Sequence, residues 1–254
     1  MRAHRLVLRL AALVPWTLLC FLLWLAGALP ARARGHLAAW RARIQSLWSR
    51  GVCRIAGVRL SVEGPLPRGA FFLVANHLSY LDVVVLGALA PCAFVSKAEV
   101  ARWPVLGFLA RAMGTLFIER ERKRALGRIN ELVAARLARG EALVLFPEGT
   151  SSGGPGVLPF RPALLEPAAS LGVPVLFAAL SYATPHGEPP ARDAVCWWGD
   201  MLFVRHFLAL LRLPYVETRV RFGREPLRAP DRKQLAQRLE RAVLEHLQPC
   251  ARHV

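Results

Sequence analysis

The sequence predicts an α/β domain built on a mostly parallel mixed sheet flanked by helices, with a membrane-associated helical segment at its N-terminus. Three observations carry that expectation. Short apolar runs bounded by turn residues recur from residue 70 onward, helical stretches separate them, and Leu10 to Leu29 contains no charged residue.

At ~1.5 Å rise per residue, Leu10–Leu29 is just long enough to cross a hydrocarbon core of about 30 Å. Pro15 is a candidate kink, and Trp16 and Trp24 suit the interfaces. Three readings stand: a single span, a helix that enters and returns or lies in the interface, and a cleaved signal peptide. Arg2, Arg5 and Arg9 before the run and Ala31-Arg32-Ala33 after it favour cleavage. The length of the run, and the arginines a mature chain would begin with, oppose it. Arg32, Arg34, Arg41, Arg43 and Arg50 outweigh the three arginines on the other side, so the body is expected in the cytoplasm. Residues 36–49, HLAAWRARIQSLWS, place Leu37, Trp40, Ile44 and Trp48 at helical spacing with arginines between them. They predict an amphipathic helix lying on the bilayer, or else one packed on the protein's own core.

Beyond residue 55 the apolar runs at 70–75, 93–96, 115–118, 142–146 and 173–181 read as buried strands, and 217–223 as a half-exposed one. Residues 79–90, 102–112, 121–139, 161–171 and 231–247 read as helices. On 121–139 the residues Leu126, Ile129, Leu132, Val133 and Leu137 form one apolar stripe. No repeat or low-complexity linker interrupts this pattern, so 1–52 is expected to be an anchor and 53–254 one domain. In such folds ligands collect where strands end and loops begin.

Composition narrows the function. The chain is 54% hydrophobic with a mean hydropathy of +0.34, greasy for a protein with 20% charged residues, so part of its surface is expected to meet lipid. The net charge of +17 attracts polyanions, either nucleic acid or an anionic membrane. No zinc-finger spacing, base-reading module or aromatic–basic repeat is present, which sets nucleic acid aside. The five cysteines include no CxxC pair, which argues against a disulfide framework and a zinc site and for reduced thiols facing the cytosol. No metal cluster or nucleotide loop appears; PEGTSSGGPG lacks the lysine of a P-loop.

FLVANHLSYLD (72–82) sets His77 and Asp82 just past a strand. Ser79 and Asp82 fit a capping box, and on that reading His77 is an ordinary loop residue. Five positions along a continuous helix would put the two side chains ~140° apart, so they meet only if His77 sits in the turn before the helix. A strand ending near Ala75 and a helix beginning near Ser79 allow this. Asp82 would then hold one ring nitrogen of His77 and leave the other free as a base.

This stretch resembles the glycerolphosphate and 1-acylglycerol-3-phosphate (lysophosphatidate) acyltransferase superfamily. NHLSYLD matches its NHxxxxD block, GTLFIER (114–120) the second, FPEGTSS (146–152) the third and GVPVLFAAL (172–180) the fourth, in order and in spacing across residues 70–182. The resemblance implies an O-acyltransferase, with residues 53–254 as its catalytic domain, and His77 and Asp82 as the catalytic pair. The acyl donor would be acyl-CoA or acyl-carrier protein, and no cofactor is implied. The acceptor implied first is 1-acylglycerol 3-phosphate, giving phosphatidate, with another lysolipid such as lyso-ornithine lipid as the alternative. A non-catalytic lipid-binding protein on the same fold is a third reading. Membrane lipids are the expected partners, at the bacterial inner membrane with the catalytic domain on its cytoplasmic side. Arg120 would grip an anionic head group, or else form an ion pair with Glu119 or Glu121. Glu148 would bond a hydroxyl or hold Arg120, while Gly149 and Thr150 offer close backbone approach, an amide and a hydroxyl. Many relatives carry arginine directly after PEGT, where this chain has Ser151; Lys97 and Arg161 are the candidates to replace that charge. No GxSxG elbow is present, so direct transfer is expected rather than an acyl-enzyme.

Overall fold

The computed structural model describes residues 2–118 and 123–250. Its strands are β1 (Val58–Glu63), β2 (Phe72–Ala75), β3 (Ala93–Lys97), β4 (Leu116–Ile118), β5 (Leu143–Leu145), β6 (Val175–Ala183) and β7 (Val216–Phe222). They form one sheet in the order β1-β7-β6-β2-β5-β3-β4. β2 pairs in parallel with β5 on one side and with β6 on the other, Ala75 lying opposite Ala178. Among the described strands, the β6–β7 pairing alone is antiparallel. The sheet is therefore mixed and mostly parallel, as the apolar runs predict. Every residue of β2 and β5 is buried, as strands covered on both faces require.

On one face, Leu73, Ala75, Leu180 and Tyr182 pack beneath α2 (Leu37–Ala56) and α3 (Leu81–Leu89). On the other, Phe72, Val74, Val175 and Phe177 pack against α9 (Arg232–His246). Leu235, Leu239 and Val243 of α9 repeat every four residues and are fully buried. At ~1.5–3 kcal/mol for each such side chain, this stripe holds α9 far more firmly than helix propensity does. Asp231 caps the helix, accepting from the amides of Lys233 and Gln234.

Three differences from expectation have local causes. Prolines split two helices: Pro104 separates a 3₁₀ turn at Ala98–Arg102 from α4 (Leu106–Ala112), and Pro162 and Pro167 divide 161–171 into a 3₁₀ turn and α6 (Glu166–Ser170). β1 was not anticipated. It is an edge strand without a buried residue; VRLSVE alternates, but it carries no unbroken apolar run of the kind that marks the buried strands. The stretch 203–210 forms α8 beyond the four-residue α7 (Ala191–Ala194), and its apolar residues divide between core and surface. On α5 (Lys123–Ala138), Val133 is buried and Leu137 packs on the core, whereas Leu132 faces out.

The N-terminal residues form a helical hairpin. α1 (Arg2–Ala33) is long and apolar enough to cross a membrane, and Gly35 turns the chain into α2. The two helices interlock reciprocally. Trp40 of α2 lies over Gly27 of α1 and donates its indole N–H to the Trp24 carbonyl at 3.2 Å, three residues before that glycine. Trp16 of α1 lies over Gly51 of α2 and donates to the Trp48 carbonyl at 3.0 Å, again three residues before. A Cβ at either glycine would stand 2.3 Å or less from the opposing ring. The stripe read as lipid-facing on α2 is thus turned inward, with Ile44 buried, because α1 offers the indoles acceptors that acyl chains lack, the Trp24 carbonyl for Trp40 and the Thr17 hydroxyl for Trp48. α2 also grips α3: Ser49 lies over Gly87, and Arg50 donates to the Ala88 carbonyl. At the opposite end of α1, the Arg9 guanidinium donates to the carbonyls of Leu211, Leu213 and Pro214 just past α8. α2 runs unbroken through residue 52.

Gly27→Val and Gly51→Val should each push out one indole and cost about 1–3 kcal/mol by overpacking. Thermal unfolding in detergent checks this: both variants unfold earlier, and Trp16→Ala restores part of the loss in Gly51→Val but none in Gly27→Val.

Candidate active site

The site forms where β2 and β5 end side by side, so that the loop 76–80 lies against the loop 146–152. The Asn76 side chain ties the end of β2 to β6. Its Nδ2 donates to the Leu180 carbonyl at 3.0 Å and its Oδ1 accepts from the Leu180 amide at 2.7 Å, clamping both backbone groups of one residue. This fixes the direction in which His77 leaves the sheet. The His77 backbone is then held at both ends: its N–H donates to Glu148 Oε1 at 2.9 Å, and its carbonyl accepts from the Ser152 amide at 2.9 Å. Its ring stacks on Phe146, with centroids 4.2 Å apart and planes 14° from parallel.

Asp82 meets His77 as the spacing predicts. Its Oδ2 lies 2.7 Å from His77 Nδ1 and also accepts from the amides of Leu78 at 2.7 Å and Ser79 at 2.9 Å. The last of these is one half of a capping box, so capping and pairing with His77 are served by one carboxylate oxygen. The other half is missing, because the buried Ser79 Oγ finds no partner among the described residues. The second oxygen, Oδ1, accepts from the Tyr182 hydroxyl at 2.6 Å. Two backbone amides on Oδ2 demand an acceptor there, so the proton between the side chains sits on His77 Nδ1 and Nε2 carries the lone pair. The Asp82 side chain is wholly buried, whereas the His77 side chain is 23% exposed. The pair is a buried acceptor behind an accessible imidazole.

Glu148 behaves differently from expectation. It is 3% exposed and spends both oxygens on backbone amides, Oε1 on His77 and Oε2 on Leu158 at 3.2 Å. Burial raises its pKa to about 8, against the opposing pull of those two amides. Its visible task is to brace the two loops. Gly149, in the left-handed region at φ 80°, makes the turn that returns the chain to Ser152. Thr150, Lys97 at the end of β3 and Arg161 are exposed around the rim. Arg120, with the neighbours Glu119 and Glu121, lies outside the described residues. Ser151, standing where many relatives carry arginine, donates its hydroxyl to the Trp197 carbonyl, and the Trp197 amide donates to the Leu78 carbonyl at 2.8 Å.

Sequence reasoning missed Tyr182, the Asn76 clamp on Leu180, and the aromatic wall beside the site. Tyr80, Trp103, Trp197 and Phe203 pack with ring centroids 5.0–6.2 Å apart. His206, which has no partner in the sequence pattern, lies 3.0 Å through Nδ1 from the Tyr80 hydroxyl. Beyond this wall Leu202 and Val204 are exposed, as are Val105, just before α4, and Phe108 within it.

Comparison with known proteins agrees with this geometry. Residues 58–181 match the family model described as Acyltransferase. The chain is 37% identical over 223 residues to the lyso-ornithine lipid O-acyltransferase of Brucella abortus, covering 82% of this chain and 83% of that one.

This chain belongs to the acyltransferase family.

A second relative, the lyso-ornithine lipid O-acyltransferase of Rhizobium meliloti, is 40% identical over 69% of this chain and 64% of its own length. The 1-acyl-sn-glycerol-3-phosphate acyltransferase of Neisseria meningitidis is 38% identical over 57% of this chain and 58% of its own. Among solved structures, the 1-acyl-sn-glycerophosphate acyltransferase PlsC of Thermotoga maritima has the same fold, with a TM-score of 0.67 at 21% identity, covering 96% of this chain and 97% of that one. The acyltransferase fold expected from the four sequence blocks is thus present along nearly the whole chain, helical hairpin included.

The Glu148 carboxyl carries a pH prediction. Its folded pKa of about 8 lies above the unfolded value, so its contribution to stability is complete below pH ~4.5 and is lost as pH rises toward 8. Denaturant unfolding at several pH values should show stability falling across that window by an amount of up to about 5 kcal/mol. Glu148→Gln should flatten the slope, whatever its effect on absolute stability.

Proposed function

We propose that this acyltransferase moves a fatty acyl group from acyl-CoA or acyl-carrier protein to the free hydroxyl of an amino-acid-bearing lysolipid such as lyso-ornithine lipid. The observation that carries the chemistry is the His77 ring, fixed through Nδ1 by Asp82 at 2.7 Å with Nε2 left to act as base. His77 Nε2 takes the proton of the acceptor hydroxyl as its oxygen attacks the thioester carbonyl. The tetrahedral intermediate collapses, the C–S bond breaks, and the departing thiolate recovers the proton from His77. Asp82 steadies the imidazolium between the two steps. No acyl-enzyme forms.

The acceptor is argued from charge. Ser151 places a neutral hydroxyl, already engaged with the Trp197 carbonyl, where an arginine would serve a phosphate. This supports a head group without phosphate, as do the names of the Brucella and Rhizobium relatives. The Neisseria relative supports a second reading, 1-acylglycerol 3-phosphate, with Lys97, Arg161 and Arg120 supplying positive charge. The reaction is placed at a membrane held by α1, on the cytoplasmic face, with the exposed apolar residues of α4 and α8 toward lipid.

His77→Ala should lower kcat/KM by at least ~100-fold while membrane association is retained; unchanged transfer would remove His77 as the base. Purified enzyme given equimolar lyso-ornithine lipid and 1-acylglycerol 3-phosphate with one labelled thioester should label ornithine lipid preferentially. A preference for phosphatidate overturns the acceptor and leaves the base intact.

A further inference from the structure

The buried contact between Tyr182 and Asp82 has no place in the four sequence blocks, the last of which ends at Leu180. β6 is the longest strand of the sheet and runs past its partner β2, whose final residue Ala75 pairs with Ala178. Ala178, Leu180 and Tyr182 alternate onto the face covered by α3. Leu180 meets Asn76 through its backbone, and one step further Tyr182 reaches the first turn of α3, where Asp82 lies. The overshoot of β6 thus delivers a phenol to the back of the carboxylate, on the side away from His77.

We infer that Tyr182 is a positioning residue for acyl transfer, holding Asp82 Oδ1 so that Oδ2 stays aimed at His77 Nδ1. The inference rests on the proposed roles of His77 and Asp82. Oδ2 has three donors within 2.9 Å, whereas Tyr182 is the donor that Oδ1 is given among the described residues. Without it, a wholly buried carboxylate would keep one oxygen unsatisfied, and rotation about Cβ–Cγ would tilt the carboxylate out of line with the imidazole. The phenol is suited to a fixed donor. Burial, and then the Asp82 charge, hold its pKa well above the ordinary value, so it keeps its proton wherever the enzyme works. The hydroxyl also takes part of the carboxylate's charge. Removing it leaves a carboxylate that holds a protonated imidazole more firmly.

Tyr182→Phe keeps the ring and its packing and removes one donor. kcat should fall about 10- to 100-fold, the range expected for a hydrogen bond to a charged group, while KM for thioester and acceptor stays within about twofold. The acid limb of the kcat/KM profile should move to higher pH, because the imidazole must lose its proton to act. In an Asp82→Asn background the same change should cost less than about twofold, since nothing remains for the hydroxyl to aim. Circular dichroism and thermal unfolding establish that each variant is folded. A merely structural role predicts the contrary: lowered unfolding temperature, unmoved pH profile, and an equal loss with or without Asp82. Those results, or full kcat in folded Tyr182→Phe, overturn the inference while His77→Ala remains inactive. An active His77→Ala instead overturns the base on which the inference rests.

Discussion

Three N–H groups converge on one oxygen, Oδ2 of Asp82, and the architecture around the site exists to keep them there. Two belong to the backbone of the turn that starts α3, and the third to His77. A carboxylate in that turn is stabilised by the free amides and by the positive end of the helix. The device that begins α3 therefore also orients the imidazole, and neither task can be given up without the other.

The turn is stiffened from both flanks because of sheet order. β2 lies between β5 and β6, so the loop carrying His77 has a neighbour on each side. From the β5 side come Phe146 under the ring and Glu148 and Ser152 on the backbone. From the β6 side comes the backbone of Leu180, clamped at both its amide and its carbonyl by the Asn76 side chain. Glu148 illustrates the compromise. A carboxylate is the right shape for two amides, yet burying one raises its pKa, and the loop geometry is kept at the expense of stability toward alkaline pH.

How far this was legible depends on whether a feature is local. The buried strands announce themselves by unbroken apolar runs, and the His77–Asp82 contact follows from five residues spanning a strand end and a helix start. β1 leaves no such trace, since its side chains are exposed. Tyr182 lies one hundred residues from Asp82, and only the β2–β6 register brings them together. Glu148 stands out in the sequence as a carboxylate past a strand, but its bond to the His77 amide depends on β5 being adjacent to β2. The stripe on α2 has the periodicity of a bilayer-lying helix; periodicity cannot tell lipid from a second helix that presents glycines and carbonyls.

The glycine–tryptophan interlock of α1 and α2 has a bearing on where chemistry takes place. Each indole is keyed into the opposite helix, α2 is seated on α3 through Ser49 and Gly87, and α3 carries Asp82. The route passes directly from helix to helix. Were a bilayer to hold the hairpin, the same contacts would set the elevation of His77 relative to the lipid, and a lysolipid would have to rise to the imidazole.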